Sequence, residues 1–368
     1  MVYRVVGMMS GSSLDGMDLV FAELEETGGK WKYAILETEC YSYPAEWIKR
    51  LSEATQLSAL DYMLLHSDYG HFTGQQINRF IKEKNLDYRV GLIASHGHTT
   101  FHIPPRMTAQ LGDGAAIAAE TGLPVITDLR AMDLGFGGQG APIVPMGEKK
   151  LLGDYPYFLN VGGIANISAN DMQRYTAFDV CPANRVLNLL CAEIGLEYDD
   201  GGAIASNGAV HQQLLAKLNS LDYYSKPYPK SLANDFGVNE IFPLIKRHSI
   251  PTPDALRTYT EHIALQVRQA VVRILSAANK LREENSRMLI TGGGVFNHFL
   301  IKRISSLLLP LGIVVEPADD QLANYKEALI MAFLGVLRWR EESTVLSSVT
   351  GASHDSIGGA LWMGQGNV

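Results

Sequence analysis

Near its N-terminus the chain reads Ser10-Gly11-Ser12-Ser13-Leu14-Asp15-Gly16-Met17-Asp18. Apolar runs of strand length flank this stretch, at residues 3–8 and 19–24. A turn of small residues between two strands lets successive backbone N–H groups converge on an anion without a bulky Cβ in the way. The stretch therefore predicts a phosphate-binding β-hairpin. The alternative is an ordinary Ser/Gly/Asp turn, and motifs further along the chain favour the first interpretation.

Composition sets the broad class of the protein. The chain has 368 residues, of which 46% are hydrophobic and 19% are charged, so it is long enough for two domains and too apolar to be disordered. A net charge of −8 and the lack of a Lys/Arg-rich run argue against a nucleic-acid or membrane partner. No signal peptide or spanning segment is evident, which predicts a cytoplasmic protein. A homodimer is compatible with the sequence, which does not fix the oligomeric state.

The N-terminal half predicts a sheet flanked by helices. Residues 31–40 have the pattern of a third strand, and apolar spacing predicts helices near residues 46–55 and 62–84. The apolar run 90–94 is typical of a buried strand. It should end before Ser95-His96-Gly97-His98-Thr99-Thr100-Phe101-His102, and ligands of open α/β sheets gather at that edge.

The three histidines in this segment allow several interpretations. His96, His98 and His102 are close enough in sequence to surround a zinc ion, but no acidic or cysteine ligand lies at a spacing that completes the set. One or more of them, with Thr99, could instead hydrogen-bond a polyhydroxylated substrate. A loop whose histidines satisfy local backbone groups is the third interpretation.

A glycine-rich segment follows a predicted helix at residues 113–121 and a predicted strand at 124–127. Residues 135–140 match the dinucleotide pattern G-x-G-x-x-G, but Pro142 and Pro145 argue against the helix that this pattern requires. We predict a flexible loop beside a cleft, with Arg130 as an anchor for an anion or carboxylate.

The second half of the chain contains another turn of small residues between two predicted strands. Residues 157–168 read as strand, Gly162-Gly163 turn and strand. Asp179 ends a predicted strand before a helix that begins near Pro182, which makes it a candidate general base. The segment 291–297 follows a strand, and its three glycines would let a flat ring lie on the backbone.

Taken in order, these motifs resemble the actin-like ATPase superfamily, which includes sugar kinases. Several of them resemble the anhydro-N-acetylmuramic acid kinase family more narrowly, and the resemblance extends from Gly7 to about Gly359. Besides residues 7–18, the matching segments are Ser95-His96-Gly97-His98-Thr99, Gly137-Gly138-Gln139-Gly140-Ala141-Pro142, Asn160-Val161-Gly162-Gly163-Ile164-Ala165-Asn166-Ile167 and Val349-Thr350-Gly351-Ala352.

The resemblance implies an α/β fold of two actin-like (ribonuclease H-like) domains, with mixed sheets flanked by helices and a nucleotide cleft between them. The expected domains are residues 1–128, joined by about 341–368, and residues 129–340. The implied reaction converts ATP, 1,6-anhydro-N-acetylmuramic acid and water to ADP and N-acetylmuramic acid 6-phosphate in peptidoglycan recycling. Mg²⁺ and the two hairpins would supply positioning and charge neutralisation.

The resemblance also assigns residues to roles. Asp179 would be the general base, and Asp15 would hold Mg²⁺, directly or through water. The nucleotide-binding residues would be Ser10, Gly11, Ser12, Ser13, Leu14, Asp15, Gly16, Met17, Asp18, Gly162, Gly163, Gly292, Gly293, Gly294 and Asn297. The sugar-site candidates are His96, Thr99, Arg130, Asp133 and Glu327.

The chain departs from the family pattern near the proposed base. The changed positions are Val180, Cys181, Ala183, Asn188, Asn234 and Asp235, and a family histidine is replaced near Met146-Gly147-Glu148. Either the loop before the helix has moved, or it keeps its path with strain at residues that replaced glycine. A kinase for another sugar and a non-catalytic nucleotide- or muropeptide-binding protein are the alternative functions. A serine hydrolase and a P-loop enzyme lack support, because neither G-x-S-x-G around Ser10 or Ser13 nor Gly-Lys-Ser/Thr occurs.

Overall fold

The computed structural model describes residues 1–11, 14–170, 175–228, 230–233 and 235–366. The chain forms two compact units: an N-terminal unit of Met1–Gly153 with Tyr325–Val368, and a central unit of Asp154–Asn324. These junctions differ from the predicted boundaries at residues 128 and 340, because residues 129–153 and 325–340 pack with the N-terminal unit. Among the residues described, no helix is both long and apolar enough to cross a membrane.

The N-terminal unit opens with a three-stranded meander and continues with alternating helices and strands. Its elements in chain order are β1 (Val2–Ser10), β2 (Gly16–Thr27), β3 (Lys30–Ser42), α1 (Ala45–Ser52), α2 (Ala59–Glu83), β4 (Leu92–Ile103), β5 (Met107–Leu111), α3 (Gly114–Thr121), β6 (Val125–Thr127), α4 (Ala131–Gly135) and α5 (Val144–Leu151). Ser58 and Asp113 are the N-caps of α2 and α3, and their side chains accept hydrogen bonds from backbone N–H groups of the first turn.

The central unit starts with a second meander and continues mainly as helices. Its elements are β7 (Tyr157–Val161), β8 (Ile164–Asn170), β9 (Tyr175–Pro182), α6 (Asn184–Ala192), α7 (Ala203–Asn207), α8 (Gln212–Asn219), α9 (Asp222–Ser225), α10 (Phe242–Lys246), α11 (Thr252–Ala277), β10 (Ser286–Thr291), α12 (His298–Leu308) and β11 (Ile313–Pro317). Three single-turn 3₁₀ segments and a π-helical turn connect some of these elements.

The chain then returns to the N-terminal unit through α13 (Asp320–Trp339), α14 (Ser347–Thr350) and β12 (Ala360–Trp362). Helix α13 packs directly on the sheet at Gly7, where a Cβ would lie 2.0 Å from the carbonyl oxygen of Ala328. This close approach requires glycine and fixes the position of the adjacent Glu327, whose charge acts on Asp18. The neighbouring Lys326 forms a buried ion pair of 2.9 Å with Glu148 on α5.

The two units contain sheets with the same strand order. In the N-terminal unit the order is β3-β2-β1-β4-β6, extended by β12, with β5 paired to β4. In the central unit it is β9-β8-β7-β10-β11. In both sheets the first three strands are antiparallel, and the next two run parallel to the first. This repeated arrangement confirms the prediction of two mixed, ribonuclease H-like sheets flanked by helices.

Three local predictions are wrong. Strand β4 does not end at residue 94 but runs to Ile103, because β5 pairs with its second half. Strand β9 continues past Asp179 to Pro182, with a bulge opposite Ala165 and Asn166. Prolines do not prevent a helix after the glycine-rich loop, since Pro145 lies in the first turn of α5, where no backbone N–H is needed.

Candidate active site

The first predicted phosphate loop joins β1 to β2, which pair as far as Ser10 and Met17. At Gly16 a Cβ would lie 2.9 Å from the carbonyl oxygen of Tyr41, so this turn requires a glycine. The side chain of Met17 is buried in the core, which leaves its backbone as the part that can face a ligand. Ser12 and Ser13 lie outside the described residues.

The hydroxyl group of Ser10 belongs to a buried hydrogen-bond network. It accepts a hydrogen bond from the Tyr43 hydroxyl at 2.7 Å and lies 3.1 Å from Nδ1 of His98. Tyr43 also hydrogen-bonds the Tyr69 hydroxyl on α2. Because Ser10 is 3% exposed, this network fixes the end of β1 and occupies the Ser10 hydroxyl.

Asp18, on β2, is a partly buried carboxylate with negative neighbours. Burial is the main cause that raises its pKa to about 6; a hydrogen bond from Cys40 lowers the pKa, and the charges of Asp15 and Glu327 raise it. Carboxylates that repel one another in this way suit Mg²⁺, which prefers oxygen ligands and usually keeps water and substrate phosphates in its shell. Within the described part of the chain, no group of three His, Cys, Asp or Glu side chains is arranged to hold a metal.

His96 and Arg130 form a directly bonded pair. Nε of Arg130 donates to Nε2 of His96 at 2.8 Å, and Nδ1 of His96 lies 3.0 Å from the carbonyl oxygen of Gly97. Burial, and then the charge of Arg130, lower the pKa of His96 to about 3. The imidazole is therefore neutral, with its proton on Nδ1, and it orients Arg130.

The neutral state of His96 predicts acid lability. Its folded pKa of about 3 lies below its ordinary value of 6.5, so the unfolded chain binds the extra proton first and stability falls as pH drops below 6.5. The slope is about 1.4 kcal/mol per pH unit. We expect His96→Gln to reduce the loss of unfolding free energy between pH 6.5 and 5 by about 2 kcal/mol.

Urea titrations at these two pH values would measure the difference. The control is His354→Gln, at an exposed position of the same unit, which should keep the wild-type pH dependence. If the unfolding free energy of His96→Gln fell between pH 6.5 and 5 as much as that of the wild type, a neutral, buried His96 would be contradicted.

The other sugar-site candidates lie in different surroundings. The Thr99 hydroxyl, on β4, accepts a hydrogen bond from Gln110 at 3.3 Å. Glu327 is exposed on α13 and its charge acts on both Asp18 and Arg130. Asp133 has no exposed surface, and its carboxylate oxygens accept from Gly140 N–H and the Thr350 hydroxyl, each at 2.7 Å. Its position is that of a group that holds a loop.

The second glycine turn, between β7 and β8, is tied to the start of α6. The carbonyl oxygens of Gly162 and Gly163 accept hydrogen bonds from the backbone N–H groups of Asn184 and Ala183, at 3.0 and 2.8 Å. Gly163 is exposed. The turn therefore lies beside a helix N-terminus, where partial positive charge favours anions.

A cavity of about 480 Å³ opens within the central unit. This volume is in the range of sites for ligands of nucleoside size, about 300–1,000 Å³. Of the predicted nucleotide residues, Gly293 and Asn297 line the cavity; Gly292 and Gly294 instead pack against β7. The remaining lining residues are Asn184, Leu187, Asn188, Tyr198, Asp199, Asp200, Gly201 and Phe296.

No sequence motif had pointed to Tyr198, Asp200 or Phe296 as site residues. The turn signal Asp200-Gly201-Gly202 could have indicated a backbone close to a ligand. Gly202 approaches the predicted site directly, since a Cβ there would lie 2.2 Å from Oδ1 of Asn297. Asn297 also caps α12, because its Oδ1 accepts from Leu300 N–H at 2.9 Å.

Asp179 has the setting of an activated carboxylate. Burial raises its pKa above the ordinary value, and a hydrogen bond from the Leu232 N–H opposes the shift. That N–H donates to Oδ2 of Asp179 at 2.9 Å. The Asp179 backbone is held as well, because its N–H donates to Lys230 and its carbonyl accepts from the Tyr223 hydroxyl. A carboxylate fixed through one oxygen can use the other to accept a proton.

The two residues that replace family glycines lie in the protein interior. Cys181 and Ala183 are completely buried, and Ala183 takes φ −130°, outside the left-handed region. Asn188 lines the cavity. Asn234 lies outside the described residues, and Asp235 accepts a hydrogen bond from Asn239 at 3.0 Å.

Two sheets of this topology, each with a small-residue turn between its first two strands, define the actin-like class of nucleotide-binding proteins. The family model for anhydro-N-acetylmuramic acid kinase matches residues 3–364. The anhydro-N-acetylmuramic acid kinase of Hydrogenovibrio crunogenus (strain DSM 25203 / XCL-2) is 30% identical over 368 residues, covering 97% of each chain. The chain therefore belongs to the anhydro-N-acetylmuramic acid kinase family and is an enzyme of the kinase class.

A solved structure also matches most of the chain. It is the activator of the 2-hydroxyisocaproyl-CoA dehydratase from Clostridium difficile with bound ADPNP. It is 13% identical, with a TM-score of 0.41, and the match covers 92% of this chain and 96% of that one.

Proposed function

We propose that the protein uses ATP and water to convert 1,6-anhydro-N-acetylmuramic acid to N-acetylmuramic acid 6-phosphate, and that this reaction serves peptidoglycan recycling in the cytoplasm. The observation that carries the proposal is the family match over residues 3–364. The buried, singly anchored carboxylate of Asp179 supports it, because the reaction needs a base for water.

In the proposed reaction Asp179 accepts a proton from water while the water oxygen bonds to the anomeric carbon C1. The bond between C1 and the bridging oxygen breaks, and the electron pair remains on that oxygen, which becomes O6. O6 then bonds to the γ-phosphorus of ATP as the bond to the leaving ADP oxygen breaks. The proton on Asp179 passes to solvent, which completes the balance of atoms and charge.

Arg130 would bind the lactyl carboxylate of the sugar, since a guanidinium matches a carboxylate in shape and charge. Glu327, exposed on α13, and Thr99 would accept or donate hydrogen bonds to sugar hydroxyls. His96 would act through Arg130 because its own nitrogens are occupied.

The cavity lined by Gly293 and Asn297 would take the adenosine, and the turns at Gly11–Asp18 and Gly162–Gly163 would face the phosphates. Asp15 and Asp18 would hold Mg²⁺ through water, and this ion would neutralise phosphate charge. The mutual repulsion of Asp15, Asp18 and Glu327 supports a cation there.

Nucleotide binding should stabilise the protein. At a hundred times Kd, Mg-ATP or a slow analogue is expected to raise the free energy of unfolding by about 2.7 kcal/mol, measured as a shift in Tm. Gly293→Val should abolish the shift in Tm, because the added side chain would fill the cavity. The protein can accommodate the substitution, since a Cβ at this position would lie 3.7 Å from its nearest neighbour, Asn184 Nδ2. Gly135→Val is the control at another open position. A full shift in Gly293→Val would place the nucleotide elsewhere.

The function itself is tested by a product assay. The protein is incubated with Mg-ATP and the anhydro-sugar, and ADP and a sugar phosphate are sought by mass spectrometry. Nucleotide binding without product would favour a non-catalytic binding protein. ADP formation with a different sugar would favour a changed substrate, which the departures near Asp179 make the second candidate.

A further inference from the structure

The glycine-rich loop after α4 wraps around the carboxylate of Asp133. Gly140 N–H donates to Oδ2 at 2.7 Å, and Gly138 N–H donates to the Asp133 carbonyl at 2.9 Å. At Gly138 a Cβ would lie 2.2 Å from Oδ2, so only glycine allows this approach. The segment that imitates a dinucleotide motif is therefore built to enclose a side chain.

Thr350, at the end of α14, closes the other side of this enclosure. Its hydroxyl donates to Oδ1 of Asp133 at 2.7 Å, and its carbonyl accepts from Gln139 N–H at 2.9 Å. Asp133 is 0% exposed and Thr350 is 1% exposed. A carboxylate whose two oxygens both accept hydrogen bonds inside the protein is a poor ligand for a sugar. Its hydrogen bonds instead fix the position of the loop that donates them.

The enclosed loop is connected to Arg130 through one atom. The carbonyl oxygen of Gly140, whose N–H Asp133 holds, accepts from Nη1 of Arg130 at 2.8 Å. Nε of Arg130 donates to His96 at 2.8 Å. Within the described part of the chain, hydrogen bonds thus hold Nε and Nη1 of the guanidinium from two sides, and none involves Nη2.

We propose that Asp133 and Thr350 are positioning residues, which hold the Gly140 carbonyl so that Arg130 presents its remaining donors to the carboxylate of the substrate. This inference rests on the proposed function and adds to it the source of substrate affinity. It also gives roles to the glycine-rich loop and to the Val349–Ala352 segment, which the proposed reaction leaves unexplained.

The variant that tests this is Thr350→Val, which keeps the shape of the side chain and removes the hydroxyl. We expect KM for the anhydro-sugar to rise at least tenfold, with kcat within about threefold of wild type and KM for ATP unchanged, because uniform binding of the sugar is lost. Thr350→Ser is the matched variant, and it should restore KM because it restores the donor.

A double-mutant cycle separates positioning through Arg130 from a general structural effect. Arg130→Lys should raise KM for the sugar by itself, and Thr350→Val should then add little further. Multiplicative effects of the two changes, or a wild-type KM in Thr350→Val, would overturn the inference.

Two further measurements keep the outcome clear. If Thr350→Val does not fold, judged by its Tm, Asp133→Asn takes its place in the cycle. Asparagine keeps the shape of the side chain but can accept hydrogen bonds only through its one oxygen. Asp133→Asn should raise KM for the sugar in the wild-type background and add little to it in the Arg130→Lys background. If wild-type protein does not phosphorylate the anhydro-sugar, the proposed function fails; normal wild-type turnover with an unaffected Thr350→Val refutes the positioning role alone.

Discussion

Asp179→Asn is expected to lower kcat by about 10²–10⁴, with nucleotide affinity little changed. Asparagine can still accept the Leu232 N–H but cannot take a proton from water. Steady-state kinetics with the anhydro-sugar measure kcat, and the nucleotide-dependent Tm shift measures binding. Asp222→Asn, at an exposed position of the same unit, should retain wild-type turnover.

The pH dependence of the wild-type enzyme provides an independent check on Asp179. Burial raises the pKa of this carboxyl, and a base must be unprotonated to act. Activity should therefore fall, as pH is lowered, at a pH above the ordinary titration range of aspartate. Full turnover in Asp179→Asn would remove this residue from the mechanism.

Asp18→Asn is expected to make the protein more stable and less active. The folded pKa of Asp18, about 6, lies above its ordinary value of 3.8. Its contribution to stability is therefore complete below pH 3.8 and is lost as pH rises through 6. The loss corresponds to about 3 kcal/mol. Asparagine does not ionise, so the variant should be up to this much more stable at pH 8 and nearly unchanged at pH 4.

The same substitution should raise the Mg²⁺ concentration needed for half-maximal activity, because it removes a charge that the ion would neutralise. Denaturant titrations at pH 4 and pH 8 measure the stability change. Glu25→Gln, an exposed position on the same strand, serves as control for both measurements. Equal stability of Asp18→Asn and wild type at pH 8 would contradict the raised pKa.

Sequence alone predicted the elements whose signals are local. Both glycine turns lie between apolar runs, which predicted two hairpins, and the resemblance to actin-like proteins implied the two mixed sheets. The length of β4 could not be predicted, because the polar run from Ser95 to His102 resembles a loop. It continues as a strand since β5 pairs with it and His98 is buried against Ser10.

The site was predictable in its residue types more than in its contacts. Asp133, a few residues after Arg130, reads as a ligand, and its partner Thr350 is distant in sequence. The cavity of the central unit is lined by Tyr198 and Phe296, which are far apart in the sequence. Local patterns carry no information on such pairs, whereas a hairpin or a helix cap is complete within a few residues.

The ion pair between Lys326 and Glu148 constrains how this family can vary. Both side chains are almost completely buried, at 5% and 3% exposure, and a change at Glu148 alone would remove the carboxylate that the buried Lys326 ammonium contacts, at a cost of about 3–5 kcal/mol. Natural sequences with an uncharged or basic residue at position 148 should therefore carry a compensating change at position 326. Although the two positions are far apart in the sequence, we expect their residue types to change together among relatives. Their covariation would identify the subgroup to which this chain belongs.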